Sequence, residues 1–372
     1  MQKGQSYTTP AGKAFMELVR CGLSGANPDE TLFSDLSSRD WEEIYTLAKR
    51  QTVCGICYDA YRKLPDSLLP PGTLLPRWVA RVNAIETTNR AMTEAVTALI
   101  RMMRAMRLNP IVQKGISVAR FYKNPELREC GDIDLWLPAS EFGSGIEFAR
   151  KTGSNIKSNP DGSISFLYRG FVIELHRQLI NVSSPFASRS LASFGTHHIS
   201  RQVSTHVTDA TIPSPTPLIE LLLINVHIMK HVFGTGIGLR HICDYLCASY
   251  ALKGHYSEAR FEKMCSVLGI SKWTALLNDF LVTYLHADPE KLPSSGLKKA
   301  NSIPTETLMK IIMEGGNFGQ HLADGGSKKH PRSGHGKLHT LSMFLKRSRF
   351  AASVAPAEAS WNFFRLLVGQ IH

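Results

Sequence analysis

The sequence predicts an α+β fold in which a short-stranded central unit lies between two helical stretches. Three observations predict it. Apolar residues recur at spacings of three and four over about 75–107, and the chain reads as helical again from IPSPTP (212–217) to about 313, the pattern of helices that bury one face. Between them DIDLWLP (132–138) alternates with period two, the mark of a strand. ISFLYRGFVIELHRQL (164–179) reads as two further strands joined at Arg169-Gly170.

Taken in order, the first hundred residues are helical, with Ser37, Ser38 and Asp40 offering cap chemistry before WEEIYTLAKRQ. Pro65, Pro70 and Pro71 interrupt, and a long helix follows whose seam is Trp78, Val82, Ile85, Asn89, Met92, Val96, Leu99, Met103 and Met106. From Asn109 the pattern changes. PIVQ (110–113) is a short strand ended by Lys114-Gly115, ISVARFY (116–122) a short helix, and KNPELRECG (123–131) a loop. EFGSGIEFARKT (141–152) is helical and the polar stretch 153–163 connects it to the hairpin. Residues 315–337, rich in Gly, His and Lys, are expected to form a mobile basic loop, and Trp361, Phe363, Phe364, Leu366 and Leu367 mark a last amphipathic helix. The expected division is a helical region over 1–107, an α/β core over 108–210 and a helical domain over 211–372.

Composition narrows the function classes. A hydrophobic fraction of 43% and a charged fraction of 20% are those of an ordinary globular chain, not a disordered one. The longest apolar stretch, LIELLLINVHIM (218–229), is too short to cross a bilayer and carries Glu220, Asn225 and His227. Seven cysteines, an odd number, and an N-terminus without an apolar signal core point to a reducing, cytoplasmic setting. Cys54 and Cys57 form a CxxC without a second pair at zinc-site spacing, so they are expected to be structural. The net charge of +12 favours a polyanionic partner, a nucleotide triphosphate, nucleic acid or glycan, or else a solvated basic surface; Lys328, Lys329, Arg332, Lys337, Lys346, Arg347 and Arg349 crowd the C-terminal part.

Asp132 and Asp134 are the most informative residues. Positions i and i+2 of a strand share a face, so the two carboxylates can share a divalent cation, and oxygen donors of this type suit Mg²⁺ or Mn²⁺. A bare DxD is common, but its neighbours add weight. Gly115, between a strand and a helix, can bring backbone N–H groups close to a phosphate. Lys114 and Arg128 add positive charge, and Glu174, on the second strand of the hairpin, offers a third carboxylate. The set suits metal-assisted phosphoryl transfer, in which positioning and electrostatics dominate. His176 should face the same side as Glu174 and orient a ligand. His227 and His231, one helical turn apart, are candidates for acceptor or phosphate contacts; HIMKH lacks the glutamate of a zinc-protease helix. Arg240 and Asp244, at i, i+4, are expected to pair.

At these residues the chain resembles a known group. VQKGISVARFYKNPELRECGDIDLWL, IELHRQL (173–179), LINVHIMKHVFGTGIGLRHICDY (223–245) and GGNFG (315–319) resemble, in this order, the motifs of the uncharacterised nucleotidyltransferase family within the DNA-polymerase-beta-like superfamily. The resemblance covers most of the chain from about residue 38. It implies a small mixed-sheet nucleotidyltransferase core, with Asp132, Asp134 and Glu174 as metal-binding acids. It places Gly115 at the phosphate-binding turn and Lys114 and Arg128 at the triphosphate. The wider superfamily has Gly or Ser after the turn glycine; here Ile116 follows, and Ser117 is the candidate to supply the hydroxyl. The implied activity is Mg²⁺- or Mn²⁺-dependent transfer of a nucleoside monophosphate from an NTP to an acceptor, whether small molecule, glycan, protein or RNA. The alternatives are a catalytically inactive nucleotide-binding module and a nucleic-acid-binding protein that uses its basic C-terminal region.

Overall fold

The computed structural model describes residues 6–159, 161–191, 202–207, 210–234, 236–297, 304–316 and 345–367. Four helices come first: α1 (Pro10–Ser24), α2 (Ser38–Arg50), α3 (Cys54–Tyr61) and α4 (Leu74–Ala105). Ser37 caps α2 as its sequence suggested: its hydroxyl accepts from the Asp40 N–H while Asp40 accepts from the Ser37 N–H, a reciprocal cap that satisfies two donors. The 32 residues of α4 make a rod of roughly 48 Å. Its first half, Leu74, Trp78, Val82 and Ile85, packs into the main helical core, and its second half, Met92, Val96, Leu99 and Met103, into a separate core beneath the sheet.

The central unit contains β1 (Ile111–Gln113), α5 (Gly115–Ala119), β2 (Ile133–Trp136), α6 (Ala139–Thr152), β3 (Ser154–Ser158), β4 (Ile164–Tyr168) and β5 (Phe171–His176). The strands form one mixed sheet in the order β1-β2-β5-β4-β3. β2 runs parallel to β5, and the other neighbours are antiparallel. Val112, Ile133, Leu135, Ile173 and Leu175 point to one face, where α4 and α6 cover them. The other face therefore receives Gln113, Asp134, Glu174 and His176. The hairpin turn falls at Arg169 and Gly170, both with positive φ (50° and 84°), the geometry that matches strand twist in two-residue loops.

A described helix at 185–191, α7, leads toward a two-stranded sheet, β6 (Gln202–Val207) with β7 (Ala210–Pro215). Then come α8 (Pro217–Phe233), α9 (Leu239–Leu252), α10 (Glu258–Val267), α11 (Ser271–Leu285) and α12 (Thr305–Gly315), a helix at 345–354, α13, and α14 (Pro356–Leu367). The N-terminal helices and α8–α14 contribute to one hydrophobic cluster. Gln51, fully buried, ties them further: its side-chain amide donates to the Ile312 carbonyl at 3.1 Å and accepts from the Leu239 N–H at 2.8 Å.

Two expectations are corrected. The stretch 153–163, read as a polar connection, contains β3, whose side chains are all exposed; without a buried face it has no apolar period to betray it. IPSPTP, read as punctuation, overlaps β7, whose Pro213 and Pro215 fit because a two-stranded sheet leaves each strand an unpaired edge. From residue 317 on, the expected basic loop near 315–337 lies outside the described residues, as do Lys328, Lys329, Arg332 and Lys337. Arg347 is described and buried, and it donates to the Val232 and Gly234 carbonyls rather than facing solvent. Cys54 and Cys57 are buried free thiols, both pushed up by burial, in keeping with a structural role.

The loop that feeds β2 is seated against α3 at a contact with no slack: a Cβ added to Gly55 would lie 2.2 Å from the Leu127 carbonyl oxygen. Gly55→Ala should therefore destabilise the protein by about 1–3 kcal/mol, seen as a lower urea midpoint with an unchanged slope. Gly143→Ala on α6, where an added Cβ meets nothing within 4 Å, should leave the midpoint unchanged or slightly raised.

Candidate active site

The sheet register builds one wall of the site. Asp134 is the Cα partner of Gln113 on β1 and of Glu174 on β5, and Trp136 is that of His176. Amide, carboxylate and carboxylate thus stand abreast on the open face, with the imidazole one step along. His176 Nε2 lies 2.6 Å from Asp134 Oδ1 and 3.5 Å from Glu174 Oε2, and Lys114 Nζ lies 3.3 Å from Asp134 Oδ2. Asp134, Glu174 and His176 each offer one donor atom, all within 4.8 Å of one another. Their donor chemistry, two carboxylates and an imidazole converging beside a cavity, fits a divalent cation. Asp132, immediately before β2, lines the same cavity but stands outside that set of three.

Lys114 and Gly115 turn the chain from β1 into α5 with φ of 45° and 43°. A positive φ is costly for a lysine, and such strain gathers at functional sites. The turn is packed close: a Cβ on Gly115 would sit 3.4 Å from the Asp132 carbonyl oxygen. The Lys114 side chain itself is held by its ion pair with Asp134.

Crowding of negative charge sets the electrostatics. Burial pushes the Asp132 carboxyl up, and the charge of Asp134 pushes it further. Burial and Asp134 do the same to Glu174. Burial works against the Asp134 carboxylate too, but the Lys114 ammonium and the His176 hydrogen bond outweigh it and hold Asp134 well below the usual carboxylate range. Among the three acids, Asp134 carries the most firmly held negative charge.

The facing wall comes from α8, α9 and α14. His227, Lys230 and His231 line a cavity of about 500 Å³ together with the acids, and Arg240, His241 and Glu358 complete it. Burial, then Lys114, pushes His231 down to about 3, and the same two causes lower His227 strongly. Both imidazoles are neutral at ordinary pH. Lys230 is brought down to about 8, mainly by burial. Glu358 on α14 is buried and accepts from the Ser183 and Ser184 N–H groups at 2.7 and 2.8 Å, which fixes the segment entering α7. Two donors on the cavity wall have no partner among the described residues, Gln113 Nε2 and Arg240 Nε. Buried donors left unmade are expensive.

Some expected residues serve elsewhere. Ser117 is not on the cavity wall: its hydroxyl bonds Glu220 at 2.9 Å and Ser214 at 3.0 Å in a fully buried network that also holds Arg120. Arg128 reaches the cavity, but its guanidinium is engaged by Asp244, Nε at 3.0 Å and Nη2 at 2.6 Å. The expected pairing of Arg240 with Asp244 is corrected accordingly: Asp244 faces Arg128 and the Tyr122 hydroxyl, while Arg240 donates to the Glu129 carbonyl. The spacing of four along α9 had suggested a local pair, but Asp244 is buried and a bidentate partner reaches it from the 120–131 loop.

Sequence reasoning missed Gln113, Asp161, Lys230, His241 and Glu358 as cavity residues. A signal existed for two. Gln113 directly precedes the Lys114-Gly115 turn, and Lys230 sits between the paired histidines of α8. Asp161 and Glu358 come from segments with no motif.

Comparison with known proteins bears on this cleft. The family model described as uncharacterised nucleotidyltransferase matches residues 37–281. Among solved structures, an antigenic nucleotidyltransferase-like protein from Paracoccidioides brasiliensis is similar at 12% identity with a TM-score of 0.35, over 54% of this chain and 94% of that one. No curated protein matches.

The Arg128–Asp244 pair lies at the edge of the cavity and is almost entirely buried, with side chains 3% and 6% exposed. Asp244→Ala strands a buried guanidinium, and it should cost about 3–5 kcal/mol in urea denaturation. The double variant Arg128→Met/Asp244→Leu should recover a large part of that loss.

Proposed function

The chain belongs to the uncharacterised nucleotidyltransferase family, and from that premise we propose that it transfers a nucleoside monophosphate from an NTP to an acceptor with the help of Mg²⁺ or Mn²⁺. The observation that carries this reading is the pairing of Asp134 and Glu174, abreast on parallel strands and facing a cavity of about 500 Å³ beside Lys114.

Asp134 and Glu174, with Asp132 beside them, are the residues that would hold the cation. Such an ion supplies Lewis acidity toward phosphoryl oxygens and offsets the charge of the triphosphate. The arrangement has a reason to bind it. Three carboxylates are gathered around one lysine, and two of them are pushed up by burial and by Asp134. A divalent charge relieves that repulsion.

The remaining groups suit an anion. Lys114 stands next to the acids and Lys230 on the opposite wall, and each is a compact charge able to meet a phosphate. Gly115 lies on the wall without a side chain to keep a ligand away. The neutral His227 and His231 can donate or accept hydrogen bonds without adding charge. This division supports transfer between two anionic or hydroxyl-bearing partners.

The deciding experiment is incubation of the protein with each α-labelled NTP, Mg²⁺ or Mn²⁺ and a cell extract. Label should move to an acceptor, and Asp134→Asn should lower the rate by about 10²–10³-fold, the usual loss when a key electrostatic group is removed. Equal labelling by both proteins would remove the catalytic role assigned to the acids. The pH dependence should follow Lys230. Its ammonium is charged below about 8 and neutral above, so NTP affinity by calorimetry should weaken as pH rises from 7 to 9.5. Lys230→Met should bind more weakly at pH 7 and show a flatter profile.

A further inference from the structure

We propose that His176 is a direct metal ligand, and that the Asp134–Glu174–His176 set selects a first-row transition ion such as Mn²⁺ over Mg²⁺. The inference rests on the cation-assisted reading above and deepens it by naming the ion class.

The argument starts from register. β2 and β5 run parallel, so Asp134 faces Glu174, and two residues further along β5 His176 returns to the same face. Its Nε2 reaches both carboxylates, Asp134 at 2.6 Å and Glu174 at 3.5 Å. Asp132, the second acid of the GDID motif, is not part of the close set. The donors that converge are therefore two oxygens and a nitrogen, where the sequence pattern had suggested three oxygens.

The change of donor decides the ion. Mg²⁺ is small and hard, keeps several waters and takes oxygen ligands. Imidazole suits the borderline divalent ions, whose affinity for mixed nitrogen and oxygen sites rises from Mn²⁺ onward. Gln113, 2% exposed and the cross-strand partner of Asp134, lines the same cavity beside this set.

The test uses Mn²⁺ alone as the probe on the full chain. Binding is followed by loss of the free-ion electron paramagnetic resonance signal, and the ligand by ¹⁴N coupling in pulsed spectra of the bound ion. The wild-type protein should show ¹⁴N coupling, and Mg²⁺ should displace Mn²⁺ only at about tenfold excess or more. His176→Gln should abolish the coupling and weaken Mn²⁺ by about tenfold or more, while Mg²⁺ affinity shifts by less than about threefold. The wild-type spectrum stands even if the variant folds poorly. Bound Mn²⁺ that is lost in Asp134→Asn but shows no ¹⁴N coupling overturns the assignment of His176 and leaves the proposed function intact. Equal weakening of both ions in His176→Gln overturns the selectivity. Absence of Mn²⁺ binding overturns both this inference and the cation-assisted reading, whereas label transfer unaffected by Asp134→Asn overturns the proposed activity by itself.

Discussion

The ion pair between Arg128 and Asp244 is the constraint on which the site depends. Both side chains are almost entirely buried, so neither charge is tolerable alone. Burial by itself would depress Arg128, yet Asp244 beside it holds the guanidinium well above its usual value. Tyr122 adds its hydroxyl to the same carboxylate at 2.7 Å. Through these contacts α9, near residue 244, grips both ends of the loop that runs from α5 to β2. Asn89 on α4 holds the loop from the other side, donating to the Glu126 and Arg128 carbonyls at 2.6 and 2.8 Å. Glu129 links it to α3 and α4, accepting from the Cys54 N–H and pairing with Arg81. The loop ends at Gly131, one residue before the acids. Helices from both ends of the chain thus determine where Asp132 and Asp134 emerge.

That arrangement explains how a crowded acidic cluster survives folding. The three carboxylates crowd together, and burial, with the charge of Asp134 added to it, pushes two of them up. A free strand end could relieve the strain by moving. Here β2 is fixed by β1 and β5 on its two sides, and the loop before it is fixed by hydrogen bonds and by ion pairs at Glu126, Arg128 and Glu129. The crowded carboxylates are thus held in place by the packing around them. Lys114, at the left-handed turn with Gly115, moderates their charge, and its ion pair with Asp134 keeps its ammonium in place.

The sheet wall was legible in the sequence because strand periodicity is local. Residues two apart share a face, so Asp134 with Asp132, and Glu174 with His176, followed from spacing alone. Parallel pairing then brought the two strands together. The role of His176 was only half legible: its face was readable, but its 2.6 Å approach to Asp134 depends on strand register, which no single segment encodes. Ser117 was misplaced for the same kind of reason. A hydroxyl next to a glycine turn looks like a phosphate contact, yet a five-residue helix rotates Ser117 toward Glu220 and away from the cavity. The Arg240–Asp244 spacing promised a pair along α9, but a bidentate partner from a distant loop took the carboxylate. β3 and β7 were missed because one buries no side chain and the other contains two prolines.

The two walls therefore differ in how they are specified, and the difference bears on function. The acidic wall is a row across three neighbouring strands, in which each position is fixed by backbone hydrogen bonds. Shifting it would break the sheet, so the positions of its side chains are fixed relative to one another. The basic and histidine-rich wall is assembled from α8, α9 and α14, elements joined to the sheet only through side-chain packing and isolated bonds such as Glu358 to Ser183 and Ser184. Substitutions at Lys230, His227 or His231 change charge and hydrogen bonding at the cavity without touching a strand. The sheet thus fixes where Asp134, Glu174 and His176 stand, while α8, α9 and α14 set the charge and hydrogen bonding of the groups that line the cavity with them.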